Sequence, residues 1–185
     1  RSKWVEISYN DYSGWVFGSF LSRSRGASME SDDIDKLFIF PMNDPNTPVT
    51  SNFGWRTLRG QKNLHRGIDL GAPQGTPVLA AADGTVINIR RDNRNCSSCG
   101  YGNCIFLEHR NGYRSVYAHL SEIGAVEGKK YSAGEMIGRV GNTGHSYGAH
   151  LHFEIISNEE NVDPLTYIHA VIRIVTDAIV AQVSP

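Results

Sequence analysis

Residues 148–155, GAHLHFEI, place two histidines two positions apart in an otherwise apolar run. Successive side chains of a β-strand point to opposite faces. His150, His152 and Glu154 therefore share one face, and Ala149, Leu151, Phe153 and Ile155 share the other. The second face is wholly apolar and reads as core. The first is a polar surface with two convergent imidazoles. A pair of surface histidines on an edge strand would give the same pattern, so the rest of the chain decides what this strand does.

The neighbouring stretches repeat the strand signature. TPVLAA (76–81), GTVINIRR (84–91), NCIFLEH (103–109), YRSVYAHL (113–120), MIGRVG (136–141) and HLHFEII (150–156) are short and closely spaced. Asp83-Gly84, Asn111-Gly112 and isolated glycines supply the turns between them. No segment before residue 165 carries a 3.6-residue period, so the expected fold is all-β and mainly antiparallel. LTYIHAVIRIVTDAIVAQ (165–182) is predicted to form one amphipathic helix, so that 169–185 are a C-terminal helical extension. Ahead of the strands, FIFPMNDPNTPVTSNFG (38–54) is an extended, proline-punctuated entry. The polar, serine-rich run 22–36 reads as a linker. Before it, KWVEISYNDYSGWVFGSFL (3–21) alternates aromatic or β-branched residues with polar ones, and NDYSG supplies a turn between two strands.

Composition narrows the function. The 185 residues are 40% hydrophobic and 20% charged, as in a soluble globular protein with one good core. Net charge is −1 with no long basic block, which argues against nucleic acid as the partner. No run reaches the ~18 apolar residues of a membrane span, and RSKWVEISYN is not a signal peptide. Cys96, Cys99 and Cys104 fall in NCSSCGYGNC. A structural zinc knuckle normally needs a fourth ligand, so one loop disulfide with an odd thiol left over is the preferred reading. It points weakly to an oxidising compartment.

Two further motifs carry chemistry. HRGIDLG contains His65-x3-Asp69, with Ile68 and Leu70 flanking the aspartate as in a strand entering the core. YRSVYAHL ends in His119, where a loop begins. A catalytic zinc uses three protein ligands and keeps a fourth position open. His65, Asp69 and one histidine of the 150/152 pair would supply that set. His119 and the other member of the pair then remain for proton transfer and oxyanion stabilisation. HExxH is absent, so the chain does not read as a protease with a helix-borne glutamate base.

HRGIDLGAPQGTPVLAAADGTV (65–86), GYGNCIFLEHRNGYRSVYAHL (100–120) and GRVGNTGHSYGAHLHFEI (138–155) together resemble the core motifs of the lysostaphin-type, or LytM-like, zinc metallopeptidases, which cut bacterial peptidoglycan. The resemblance implies a domain over 38–168, a small antiparallel sheet crossed by a groove. It implies Zn2+ held by His65, Asp69 and His152, with His119 and His150 as catalytic histidines. The implied activity is endopeptidase cleavage of stem peptides or crosslinks, with D-alanyl–diaminoacid bonds preferred over glycine bridges. The implied location is periplasmic, in the cell envelope or secreted. A latent or non-catalytic module regulating wall hydrolysis is the alternative, although all five motif residues are present. Tyr117, which alternation puts on the face of His119, and Tyr147, in the loop before HLH, are expected to line the cleft. Glu154 is expected either to accept a hydrogen bond from substrate there or to orient a metal-binding histidine. WVEISY…GWVFGSFL resembles the last part of a bacterial SH3-like barrel, so residues 1–25 are expected to be a partial accessory segment and 26–37 the linker.

Overall fold

A computed structural model describes residues 38–58, 60–92 and 100–168 and, as backbone only, two strands near the start of the chain. These two, β1 (Trp4–Tyr9) and β2 (Tyr12–Phe17), pair antiparallel with Trp4 opposite Phe17 and Tyr9 opposite Tyr12. Tyr12, Ser13 and Gly14 of the NDYSG stretch belong to the second strand.

The strands that follow are β3 (Val49–Ser51), β4 (Gly54–Leu58), β5 (Gln61–His65), β6 (Ile68–Gly71), β7 (Pro77–Leu79) and β8 (Gly84–Arg90). After them come β9 (Cys104–Glu108), β10 (Arg114–Ala118), β11 (Glu122–Ile123), β12 (Lys130–Tyr131), β13 (Met136–Arg139), β14 (His150–Ser157) and β15 (Glu160–Val162). Eight of these form one antiparallel sheet in the order β12-β8-β9-β10-β14-β6-β3, with β15 also paired to β14. β11, β13 and β7 make a small second sheet, and β4 and β5 make a hairpin of their own. The all-β expectation holds. The hairpin and the short strands β3, β11, β12 and β15 go beyond the segments legible in the sequence, being brief or largely exposed.

Register fixes which side of the main sheet is core. Ile68, Phe153, Tyr117 and Ile105 lie in one row across β6, β14, β10 and β9. All four are fully buried, as are Leu70, Leu107, Leu151 and Ile155 on the same face. Complete burial of such side chains is worth roughly 1.5–3 kcal/mol each, so a one-residue slip of β14 would forfeit the core. The next row, Asp69–His152–Ala118, faces the other way. The apolar half of HLHFEI thus anchors the strand that displays the polar half.

The helix expected over 165–182 is visible only as one turn, α1 (Pro164–Tyr167), with Asp163 as its N-cap accepting from the Leu165 amide at 3.0 Å. Ile168 leaves helical geometry, packs into the core and pairs with Phe38. The helical period therefore does not start at Leu165: the demand to bury Ile168 beside Phe38 ends the turn. Residues 169–185 lie outside the described residues. Cys104 is a buried free thiol at the start of β9, while Cys96 and Cys99, the remaining partners for the expected loop disulfide, also lie outside them. Among the described residues no helix is long and apolar enough to cross a membrane.

Candidate metal centre and cleft

His65 and Asp69 reach the same point from two strands. His65 ends β5 and Asp69 is the second residue of β6. Between them the chain turns at Gly67, where a Cβ would lie 2.2 Å from the Phe153 carbonyl oxygen. Only glycine permits that close approach. Asp69 is paired with His152 across the β6–β14 ladder. Three donor atoms then converge: His65 Nε2 lies 3.0 Å from Asp69 Oδ1 and 3.0 Å from His152 Nδ1, and His152 Nδ1 lies 2.8 Å from Asp69 Oδ1.

The outer atoms of both rings fix their tautomers. His65 Nδ1 is 2.8 Å from the carbonyl of Asn52, a group that only accepts, so Nδ1 carries the proton. His152 Nε2 is 2.9 Å from a Glu154 oxygen and donates to it. In the neutral rings both inner nitrogens are unprotonated, side by side with a carboxylate oxygen. Lone pairs at that spacing repel one another, and a cation between them reverses the sign. The donors fit zinc, whose four-coordinate nitrogen and oxygen ligands, at about 2.0–2.2 Å from the ion, stand about 3.3–3.5 Å from one another. They are the described group of His, Asp and His side chains able to hold a metal ion.

The surroundings hold these donors in place. Arg56 lies 3.3 Å from Asp69 Oδ2 and also bonds Ser51, which leaves Oδ1 for the histidines. Burial raises the cost of charge on Asp69, but the adjoining imidazoles of His152 and His65 override it and hold the carboxyl far below the usual range. Glu154 is buried and accepts from His152, from the Tyr101 hydroxyl at 2.6 Å and from Asn161 at 2.8 Å. Burial pushes that carboxyl up, but these bonds more than offset it and keep it ionised. Burial likewise opposes charge on His152, against a net upward pull from Asp69 and Glu154. The Tyr101 phenol is raised, first by burial and then by Glu154, so it stays a donor.

His150 and His119 complete the ring of imidazoles. Their centroids are 4.7 Å apart, and His150 Nε2 lies 3.6 Å from Asp69 Oδ1. His150 Nδ1 donates to the Gly148 carbonyl at 2.8 Å, and His119 Nδ1 donates to the Thr143 carbonyl at 2.8 Å. Each therefore has a bare Nε2. Burial pushes the His119 imidazole down to about 4, which keeps it neutral near pH 7.

His119 arrives by an irregular route. Strand alternation would place it on the face of Tyr117, yet it has φ of +62° and turns into the cleft. Tyr117 stays behind in the core, its ring 5.2 Å from Phe153 and its oxygen accepting from the Ala81 amide. The expectation that Tyr117 lines the cleft is therefore corrected: the alternation that supported it stops at His119. Tyr147 does line the cleft and is exposed. Glu154 lies at its floor with both oxygens engaged, which fits the orienting alternative rather than contact with substrate. His145, in the same loop, also lines it. His109 is packed at the far end of β9, bonded to Asp83 and Ser115.

Sequence reasoning left the supporting residues without roles. Asn103 and Thr143 hold the kink: the Asn103 amide donates to Thr143 Oγ1 at 3.0 Å, and both side chains bond the Leu120 carbonyl. Gly102 and Gly144, both with positive φ, touch there, and a Cβ on Gly144 would lie 2.2 Å from the Gly102 nitrogen. The signal was present in GYGN and GNTG, two motifs that meet only in three dimensions. The cleft has a volume of about 820 Å³ and contains all five motif residues.

Comparison with known proteins agrees with this geometry. The DD-carboxypeptidase/endopeptidase Mpg of Neisseria meningitidis serogroup B is 43% identical over 122 residues, 65% of this chain and 27% of that protein. The chain thus spans about a quarter of the length of that curated relative. The catalytic domain of lysostaphin, an antimicrobial peptidase from Staphylococcus simulans, aligns with TM-score 0.58 and 32% identity over 66% of this chain and 92% of that one. A zinc-containing peptidase from Vibrio cholerae aligns with TM-score 0.59 and 29% identity over 81% of this chain and 42% of that one. The profile of peptidase family M23 matches residues 63–164, more than half of the sequence and every residue of the donor triangle, and the chain belongs to that family.

Proposed function

We propose that this chain is a zinc-dependent endopeptidase acting on peptide crosslinks or stem peptides of bacterial peptidoglycan, outside the cytoplasmic membrane. One observation carries the reading: three metal donors and two further imidazoles with bare Nε2 atoms face the same open cleft. His65, Asp69 and His152 would hold the ion. Bound there, zinc supplies Lewis acidity that polarises a peptide carbonyl and acidifies water.

The remaining steps belong to the protein. His150, beside Asp69, accepts a proton from the attacking water at Nε2 and returns it to the leaving amine. His119, across the cleft, keeps its proton at Nδ1 on the Thr143 carbonyl and offers its bare Nε2 as a second acceptor that orients the attacking water. Arg56 keeps Asp69 turned toward the histidines, and Glu154 keeps His152 in the tautomer with a bare Nδ1. The preferred bond is D-alanyl–diaminoacid, in keeping with the endopeptidase name of the Neisseria relative. Residues 1–25 act as an accessory segment outside the catalytic domain.

Digestion of purified sacculi tests this. Directly crosslinked walls should release D-alanine-ended fragments, identified by mass spectrometry. Chelation should stop release and added zinc restore it, and a chain beginning at residue 37 should cut soluble muropeptides at least as fast. No release by zinc-replete protein would overturn the hydrolase reading and favour a non-catalytic module. Faster release from glycine-bridged walls would overturn the bond.

A further inference from the structure

The charged groups of the cleft differ in what they have left to bind. Both carboxylates are engaged: Asp69 by His65, His152 and Arg56, and Glu154 by His152, Tyr101 and Asn161. Arg56 is engaged by Asp69 and Ser51. Two other guanidiniums line the same cleft, those of Arg66 and Arg90. Both residues are exposed, and among the described residues neither forms an ion pair.

Their positions are related. Arg66 directly follows His65, lines the cleft with Tyr101 and pulls against the rise of that phenol. Arg90 closes β8 and lies over the Phe106 ring, 5.0 Å from its centroid. Phe106 meets Tyr101 edge-on at 6.2 Å, and the Tyr101 ring lies 5.8 Å from that of His152. Arg90, Phe106, Tyr101 and His152 thus form a row from the rim of the cleft to the metal donors, with Arg66 beside its third member.

We propose that Arg66 and Arg90 form a carboxylate-binding subsite that selects substrate strands bearing free carboxylates on one side of the scissile bond. The proposal rests on the peptidoglycan reading above and adds the residues that choose among walls. A guanidinium stacked on an aromatic ring is already ordered and keeps its N–H edge for an anion, which it can grip with two parallel hydrogen bonds. Directly crosslinked stem peptides carry free carboxylates near the crosslink, whereas a glycine bridge has none within its own length. The chain as a whole has net charge −1, so the unpaired cations are local to the cleft and not a general excess. The selectivity sought from Glu154 in the sequence passes to groups of the opposite sign.

The test uses the zinc-loaded chain and two soluble crosslinked muropeptides, identical except that the stem carboxylates are free in one and amidated in the other. Wild type should favour the free acid by about tenfold in kcat/KM, mainly through KM, and less so at high salt, as for exposed charge-assisted contacts. Arg66→Gln and Arg90→Gln should each remove much of that preference and the double variant nearly all of it. Turnover of the amidated substrate and zinc content should stay close to wild type. A wild type without preference overturns the subsite, and so does a double variant that keeps it. Equal losses on both substrates also overturn it, because they assign the arginines to scaffolding. If wild type cuts neither substrate, the hydrolase reading fails, and calorimetric titration of the same peptides decides the subsite: tighter binding of the free acid supports it, equal affinity rejects it.

Discussion

Two regions bring histidines to the same cleft by opposite means. On the β6–β14 ladder, Asp69 and His152 stand opposite each other in unbroken antiparallel pairing, with fully buried Ile68, Leu70, Leu151 and Phe153 behind them. At the end of β10, His119 leaves its strand through a left-handed backbone position and is held by the Thr143 carbonyl of a distant loop. The first region sets donor atoms about 3 Å apart by the geometry of the sheet itself. The second depends on a few loop-to-loop hydrogen bonds. Two of the three metal donors, and His150 with them, are thus placed by the sheet ladder, whereas His119 depends on a loop contact that a single side chain can loosen.

The sharpest way to break this comparison is to remove these imidazoles one at a time. His152→Ala should lose zinc and with it all measurable turnover. His119→Ala and His150→Ala should keep zinc, by elemental analysis, while turnover falls by about 10²–10⁴. Zinc retained at wild-type level in His152→Ala would remove that residue from the donor set. Zinc lost from His119→Ala would erase the distinction between the regions.

What the sequence made legible follows the same divide. A period of two needs only neighbouring residues, so the faces of β14, the exit of Asp69 from the core and the pairing of cleft and core sides were all readable. Tyr117 was misplaced because alternation was carried one residue too far, into a backbone position that no local pattern marks in YAHL. His65 was found by motif, but the exposed β4–β5 hairpin that delivers it has no apolar face to betray it: Trp55 and Leu64 remain substantially exposed there. The bonds among Asn103, Leu120 and Thr143 join positions up to 40 residues apart, and nothing in one chain announces such a meeting.

A gentler cut tests the loop side alone. Thr143 Oγ1 donates to the Leu120 carbonyl and accepts from the Asn103 amide. Thr143→Val removes both bonds while nearly preserving shape. It should lower kcat by about tenfold, as expected when a catalytic group is held loosely, with KM and zinc content little changed. Thr143→Ser should restore most of the loss. A fall in zinc content parallel to kcat would show that the two regions are mechanically one.

The smallest effect concerns His109, which serves structure rather than chemistry. Burial pushes its imidazole below the ordinary value of 6.5, with only partial relief from Asp83. A chain of hydrogen bonds explains why the neutral ring suits the site. The Ala81 amide donates to the Tyr117 oxygen at 2.8 Å, and Tyr117 and Ser115 hydroxyls are 3.1 Å apart. Ser115 lies 2.7 Å from His109 Nε2, and His109 Nδ1 donates to the Asp83 carbonyl at 2.9 Å. With a neutral ring, Tyr117 donates to Ser115 and Ser115 donates to Nε2, so every proton has an acceptor. Protonation of Nε2 reverses the chain and leaves the fully buried Tyr117 hydroxyl without one. Because the folded pKa lies below the unfolded one, the unfolded state binds more protons beneath pH 6.5. This contribution is therefore complete above pH 6.5 and is lost as pH falls toward the folded pKa. His109→Gln should be less stable than wild type by about 1–2 kcal/mol at pH 7.5, from the broken chain of bonds. The gap should narrow by pH 5, because only wild type carries this titration, and His119 with the carboxylates is common to both. Urea melts of both proteins at pH 7.5, 6 and 5 measure it. A gap that stays constant across the three would show that His109 does not titrate on unfolding in this range.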